Sequence, residues 1–415
     1  MSRANLPSMA WLNIWRNRRR TLLTLSSIAF GVMLAILFTG LGDQNWREMI
    51  DLAARLGGGH VTIQNVEYLD SPLLRHSVHG SAELREEVVQ DAEVLRAVTR
   101  ISGQIMLSTA GRTYGAGFIG IDPDEEDVET LSIIDAIDEG EMLVSSRGNQ
   151  IILGRQLAKN LNARLKSKVV YTLTDPKGEI IFGVARVSGI VTTGAPTVDA
   201  ALCLLPIDTL RESLGMEEGE GTQIALFLKD HREADRVASR LGSGLAEDLV
   251  ILPWHRTQPE LAGFIAMKVA GAQLMEMIIM VLVAAGIFNT LFVSVMERIR
   301  EFGIMLAIGF APATLFALVM LESLWLGLVG LFGAAIVTAA PYYFLSTRGI
   351  DISEQLGVTG TEVAGIALTT VMRVGIYPEN ALIIALAALA GTLLSAVYPA
   401  WQAGRVTPAE SIRLM

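Results

Sequence analysis

TLLTLSSIAFGVMLAILFTGLG, residues Thr21–Gly42, contains no Asp, Glu, Lys or Arg and is bracketed by Arg20 and Asp43. About 20 uninterrupted apolar residues are what a helix needs to cross a bilayer with its backbone hydrogen bonds satisfied internally. Its basic start invites comparison with a secretory leader, but the apolar run exceeds the roughly 7–15 residues of such a segment. It therefore reads as a retained anchor. Three further stretches share its character: Glu276 to Glu297, extending back to about Val269; the run after Glu301 to Arg348, interrupted only by Glu322; and Asn380–Gly404. Four spans follow.

The stretches are spaced unequally. Spans are expected at 21–42, 269–296, 313–345 and 379–404, with a basic amphipathic segment at 1–20, a short loop at 297–312, an outer segment at 346–378 and a tail at 405–415. Between the first two spans lies one large insert, residues 43–268. Residues 1–42 carry five Arg and no acidic residue, 297–312 is balanced, and 404–415 carries +1. Of the overall charge of −10, the remainder therefore holds −16. By the positive-inside rule both termini and the 297–312 loop are cytoplasmic and the acidic insert is outside. Acidity on this scale also argues against a nucleic-acid partner.

The insert alternates strand-like and helix-like segments, which predicts an α+β domain. Val61–Gln64, Ile105–Ser108, Phe118–Ile121, Leu202–Leu205 and Ile224–Leu228 read as strands, and Arg232–Leu241 as a helix. The periodic apolar residues of Ala82–Val98 predict another helix. Val169–Leu173 and Ile180–Val191 flank Asp175-Pro176-Lys177-Gly178, a hairpin turn. The fold class is thus a membrane protein: an α-helical four-span bundle with a large α+β extracytoplasmic domain inserted between the first and second spans.

No catalytic constellation stands out. His76 and His79 sit in a Pro- and Gly-containing loop, unsuited to a shared metal. The acidic run Asp122–Asp127 contains Pro123 and lacks the glycine and closing Glu of a calcium loop, so it reads as a solvated loop. Gly189–Gly194 has P-loop glycine spacing but continues Ala-Pro where Lys-Ser/Thr is required, so it does not bind nucleotide in that mode. The single cysteine, Cys203, lies in an apolar strand and reads as packed and unreactive.

The loops flanking the spans are more informative. In LPSMAWLNIWRNRRR (6–20), Trp11 and Trp15 lie four apart and are followed by Arg16, Arg18, Arg19 and Arg20. That pattern suits a helix lying at the membrane interface, contacting lipid. In MERIREFGIMLAIGFAPATL (296–315), Glu297, Arg298, Arg300 and Glu301 precede an apolar stripe of Phe302, Ile304, Met305 and Ile308 that ends at Gly309. Such a helix suits either docking in a partner's groove or packing on the spans. Glu322 stands inside the third span, about two turns from its start at 5.4 Å per turn, closer to a structural bond than to a proton relay.

These segments resemble the FtsX-like, MacB-type permease family of ABC transporters, in layout nearest the lipoprotein-release permeases. The resemblance covers WLNIWRNRRRTLLT, Gly31, ILGRQLAKNL (152–161), VSGIVTTGAPTVD (187–199), ALCLLPIDTLRESL, the stretch 297–333 and YPAWQAGRVTPAESIR (398–413). The 297–333 and C-terminal motifs carry most of it. Phe302 stands where the family often has a smaller aliphatic residue, and Leu306 where Arg is common. The resemblance implies a non-catalytic permease subunit that holds no cofactor, with ATP and magnesium bound by a separate cytoplasmic P-loop ATPase dimer. A coupling helix containing Glu297, Arg298, Arg300, Glu301, Phe302, Gly303, Ile304 and Gly309 would contact that ATPase. It further implies a second permease chain, identical or homologous, in a bacterial inner membrane. The expected work is mechanotransmission to an external substrate, foremost lipoprotein release. The alternatives are export of peptides or small molecules and regulation of a cell-wall hydrolase.

Overall fold

The computed structural model describes residues 6–352, 362–367 and 370–405. Two helices open the described chain, α1 (Leu6–Arg16) and α2 (Arg18–Leu56). There follow β1 (Val61–Asn65), α3 (Ser81–Val88), β2 (Val94–Thr109), β3 (Arg112–Ile121), β4 (Ile137–Gly140), β5 (Gln150–Gly154) and α4 (Arg155–Leu161). The domain continues with β6 (Lys168–Thr174), β7 (Ile180–Val191), α5 (Pro196–Ala201), β8 (Leu202–Pro206), α6 (Ile207–Leu214) and β9 (Gln223–Leu228). Then come α7 (Ala234–Leu241), β10 (Leu249–Pro253), α8 (Trp254–Thr257), α9 (Pro259–Glu297), α10 (Ile299–Ala307), α11 (Pro312–Thr347) and α12 (Pro378–Gly404).

Among the described residues, four helices are long and apolar enough to cross a membrane: α2, α9, α11 and α12. Two compact units emerge, one of residues 1–45, 267–352 and 371–415, the other of 46–266 and 353–370. Helix α2 does not end with its apolar stretch at Gly42 but runs on to Leu56, and α9 begins at Pro259, ahead of the apolar residues.

In the helical unit, Ile28, Val32 and Ala35 of α2 pack with Ile287 and Leu291 of α9, Leu326 of α11, and Ile384 and Ala388 of α12. Small residues permit the close approach. A Cβ on Gly31 would lie 2.3 Å from Val283 Cγ2, and one on Gly330 would lie 2.7 Å from Ile28 Cγ2. Helix association in lipid depends on such contacts because lipid tails are as apolar as leucine. Asp43 accepts hydrogen bonds from Tyr377 N at 3.1 Å and Asn380 Nδ2 at 2.8 Å, meeting the donors at the start of α12.

In the α+β unit a ten-stranded mixed sheet runs β10-β1-β9-β2-β3-β8-β5-β7-β4, with β6 paired to β2 and β7. Strand β2 joins its parts: Val94–Arg100 pairs with β9, and Ile101–Thr109 with β3. The β3–β8 and β5–β7 pairs are parallel, and the others antiparallel. Alternation sets the burial. In β6, Val169, Tyr171 and Leu173 face the core while their neighbours face outward. The hairpin expected at 175–178 is present: Asp175 Oδ1 accepts from Lys177 N at 2.9 Å and Glu179 N at 2.8 Å.

The helix expected over Ala82–Val98 stops at Val88. Asp91 turns the chain, its Oδ1 accepting from Glu93 N at 2.9 Å and its carbonyl from Val94 N at 3.1 Å. Val94 and Val98 then enter β2, where cross-strand pairing overrides a helical spacing.

Candidate functional site

The sequence-predicted residues of the helical unit converge where α1, α10 and the start of α11 meet. Helix α1 ends at Arg16, Asn17 breaks the helix, and Thr21 ties the elbow by donating to Ile14 O at 2.5 Å. Ala10 and Ile14 are buried, whereas Trp11, Leu12 and Trp15 are exposed. Trp11 meets the edges of Trp15 at 5.9 Å and Trp325 at 5.2 Å between ring centroids.

A second break separates α9 from α10 at Arg298, whose φ of −101° and ψ of 8° leave the helical region. Helix α10 ends where Gly309 adopts φ +100°, a left-handed conformation that favours glycine, and α11 restarts with Pro312 in its first turn. Charged side chains bridge these breaks. Arg298 Nη1 donates to Glu322 at 3.0 and 2.9 Å, and Asn13 Nδ2 donates to the same carboxylate at 2.7 Å. Arg16 Nη2 donates to both oxygens of Glu301 at 2.7 and 2.8 Å, and Arg20 pairs with Glu297. Arg298 Nε reaches Glu301 at 3.3 Å, and its guanidinium lies 5.1 Å from the centroid of the Phe302 ring.

Glu322 is therefore a structural acceptor joining α1, the α9–α10 break and α11. Burial raises the Glu301 pKa, but hydrogen bonds and charge from Arg16 and Arg298 outweigh it and hold the carboxyl below its ordinary value. Arg18 and Arg19 are exposed.

The apolar stripe expected on 302–308 divides between two faces. Phe302 is fully buried with Val295, Leu315, Val319 and Ala400, and Gly303 is buried beside it. Ile304 and Ile308 point outward, 57% and 74% exposed. The two breaks turn one edge of α10 inward and leave the other uncovered among the described residues. Asn13, the second donor to Glu322, was not singled out in the sequence. Its signal is a lone amide among the Trp, Leu and Ile residues of α1. Residues 406–413 of the C-terminal motif lie outside the described residues.

A second charged cluster occupies the α+β unit. Arg100 is wholly buried: Nε and Nη2 donate to Glu126 at 2.7 and 3.0 Å, Nη2 donates to Thr130 O at 2.8 Å, and Nη1 donates to Gly57 O. Arg85 pairs with Glu125, and Arg96 with Asp127. The acidic run expected as a solvated loop is instead held by three arginines. Sequence reading passed over Arg100, although its place two residues after the buried Val98 puts it on the inward face of β2. Nearby, His60 Nδ1 accepts from Leu228 N at 3.0 Å, so the proton on its Nε2 faces Asp51 at 3.0 Å.

His76 and His79 have separate partners, His76 Nδ1 facing Ser71 O at 2.9 Å and His79 Nδ1 facing Glu220 at 3.1 Å. Thr193 N and Oγ1, in the glycine-spaced segment, both donate to Asp199 Oδ1. Cys203 is buried, and burial pushes its thiol pKa far above the ordinary range.

Two family descriptions match this architecture. The MacB-like periplasmic core domain matches residues 21–244, more than half the chain, and the FtsX-like permease C-terminal matches residues 275–408. This chain is an FtsX-like ABC transporter permease. The permease is 25% identical to the lipoprotein-releasing system transmembrane protein LolC of Xylella fastidiosa (strain Temecula1) over 78% of each chain. It is 23% identical to LolC of Neisseria meningitidis serogroup B, covering 95% of this chain and 94% of that one. With the macrolide export ATP-binding/permease protein MacB of Psychrobacter cryohalolentis it shares 21% identity, over 97% of this chain and 58% of the relative. Among solved structures, the extracellular domain of the noncanonic ABC-type transporter YknZ matches at 13% identity and a TM-score of 0.33. That match covers 46% of this chain and 98% of that domain.

Proposed function

We propose that this permease transmits the work of a separate cytoplasmic ATPase dimer to the release of lipoproteins from the inner membrane, paired with a second permease chain. The observation that carries the coupling assignment is the outward edge of α10. Ile304 and Ile308 are exposed on a helix that Arg16, Arg298 and Phe302 hold in place from its other side. A helix fixed in this way and apolar on its free edge suits a partner's groove. ATP and magnesium belong to that partner, and Glu297, Arg298 and Glu301 set the angle of the helix. Lipoprotein release is favoured over macrolide-type export by likeness: the chain is 25% and 23% identical to the two LolC permeases and 21% identical to the exporter.

The test begins with gentle purification of the tagged chain from native membranes and mass spectrometry of what co-elutes. A stoichiometric P-loop ATPase supports the reading, and a co-eluting lipoprotein supports the cargo. Charge reversal at Arg300 and Glu301 should leave the chain inserted but uncouple ATP turnover from release. Adding Arg16→Glu to Glu301→Arg should recover only part of the coupling, because Arg298 still faces position 301. Normal release in the Arg300–Glu301 reversal would overturn the coupling assignment. Trypsin added from outside should cut the exposed turn at Lys177 and spare 297–312; the opposite pattern would invert the topology.

A further inference from the structure

The chain passes from the helical unit to the α+β unit inside continuous helix at residues 45–46 of α2, and returns inside continuous helix at 266–267 of α9. Neither crossing lies in a loop, so a displacement travels along two rigid elements. The end of α2 shows where it arrives. The last carbonyls of a helix lack partners within it and need donors from outside. Ala53 O accepts from Gln258 Nε2 at 3.2 Å, and Ala54 O from Gly59 N at 3.0 Å. Gly57 O, just past the end, accepts from the buried Arg100. Ala54 itself is wholly buried against Val98 of β2 and Ala225 and Phe227 of β9, which seats α2 on the sheet.

Among these donors, Gln258 alone belongs to the other helix crossing. Its N–H donates to Trp254 O at 2.8 Å and closes α8, while its carbonyl accepts from Ala262 N at 3.1 Å and opens α9. Leu261 and Ile265 then bury one side of the first turns of α9. The backbone of Gln258 is thus fixed at the start of α9 while its amide reaches the end of α2. We propose that Gln258 is a positioning residue that locks the end of α2 to the start of α9, so that both helices move the sheet as one body. This rests on the reading of the chain as a transmitter of ATPase work. A donor is what the position requires: a carboxylate of the same shape sets acceptor against acceptor and adds negative charge at the negative end of the α2 dipole.

Gln258→Glu and Gln258→Lys test this in the co-purified permease–ATPase complex. The first removes the donor without changing the shape, and the second restores a donor with a charge that suits a helix C-terminus. Spin labels at Lys177→Cys, in the exposed turn of the α+β unit, and Tyr343→Cys, 71% exposed on α11, report the distance between the units; the buried Cys203 stays unlabelled. Electron–electron double resonance compares the nucleotide-free complex with one trapped by ATP and vanadate. The wild type should show a nucleotide-driven shift in distance, Gln258→Glu should lose most of it, and Gln258→Lys should keep it. Hydrogen exchange at the amides of 49–59 should accelerate about tenfold in Gln258→Glu, the order of effect of one hydrogen bond, and keep the wild-type rate in Gln258→Lys. Exchange in β6 and β7 should stay unchanged in both, since the sheet remains folded. A full shift in Gln258→Glu, or equal loss in Gln258→Lys, would overturn the role of Gln258 and leave the transmission reading standing. A wild type without any shift would overturn the transmission reading and this role with it.

Discussion

Arg100 and Glu126 form an ion pair with side chains 0% and 1% exposed, and this permits a sharp perturbation. Glu126→Leu removes the only charged acceptor among the described residues and leaves Arg100 buried with two backbone carbonyls, Gly57 O and Thr130 O. Breaking a buried pair by removing one partner costs about 3–5 kcal/mol, because the surviving charge is uncompensated. Arg100→Met is expected to cost at least as much, since it strands the carboxylate and removes the donor to both carbonyls. The double variant leaves no buried charge, only the two carbonyls short of a donor at about 1–3 kcal/mol each. The combined cost should therefore fall short of the sum of the singles by about 2 kcal/mol or more. The assay is hydrogen–deuterium exchange of the full-length chain in detergent, read at the amides of β2 and β9. A loss of 3–5 kcal/mol in local opening free energy is an acceleration of about a hundredfold to several thousandfold. Acceleration below about tenfold in Glu126→Leu, or simple additivity of the two single changes, would refute the reasoning.

Gly31→Leu should disrupt helix packing, because even a Cβ there meets Val283 Cγ2 at 2.3 Å; a lowered thermal midpoint in detergent, with Gly286→Leu on an open face as the control, checks it. Glu301 has a lowered folded pKa, so its stabilising effect is full above the ordinary carboxylate value of about 4.3 and fades as pH falls through the lowered one. The thermal-midpoint difference between wild type and Glu301→Gln should thus be largest near about pH 6 and shrink as pH falls below about 4, and stay small because exposed pairs contribute about 0–1 kcal/mol. Cys203 should resist maleimide in the folded chain and react once urea unfolds it; rapid labelling of folded protein would contradict its burial.

Span number and the place of the α+β insert were legible along the chain because both follow from local composition. A charge-free stretch such as Thr21–Gly42 must bury its backbone bonds in a helix whatever its neighbours do. The hairpin at Asp175–Gly178 was equally local, since one Asp side chain and one glycine make the turn. Where two local tendencies competed, tertiary pairing decided. The helical spacing of Ala82–Val98 yielded at Asp91 because β9 offered Val94 and Val98 a strand partner.

The partners of charged residues were the least legible part. Nothing near position 322 in the chain announces Asn13, and nothing near 126 announces Arg100; each pair closes across a long loop of sequence. The sequence by itself determined which groups are charged and which stretches are apolar. Only the tertiary structure decided that Phe302 turns inward while Ile304 turns outward, and that Glu126 is buried while its neighbour Asp127 is not. The physical reason is that burial and ion pairing depend on which surfaces the fold brings together, a property no single segment carries.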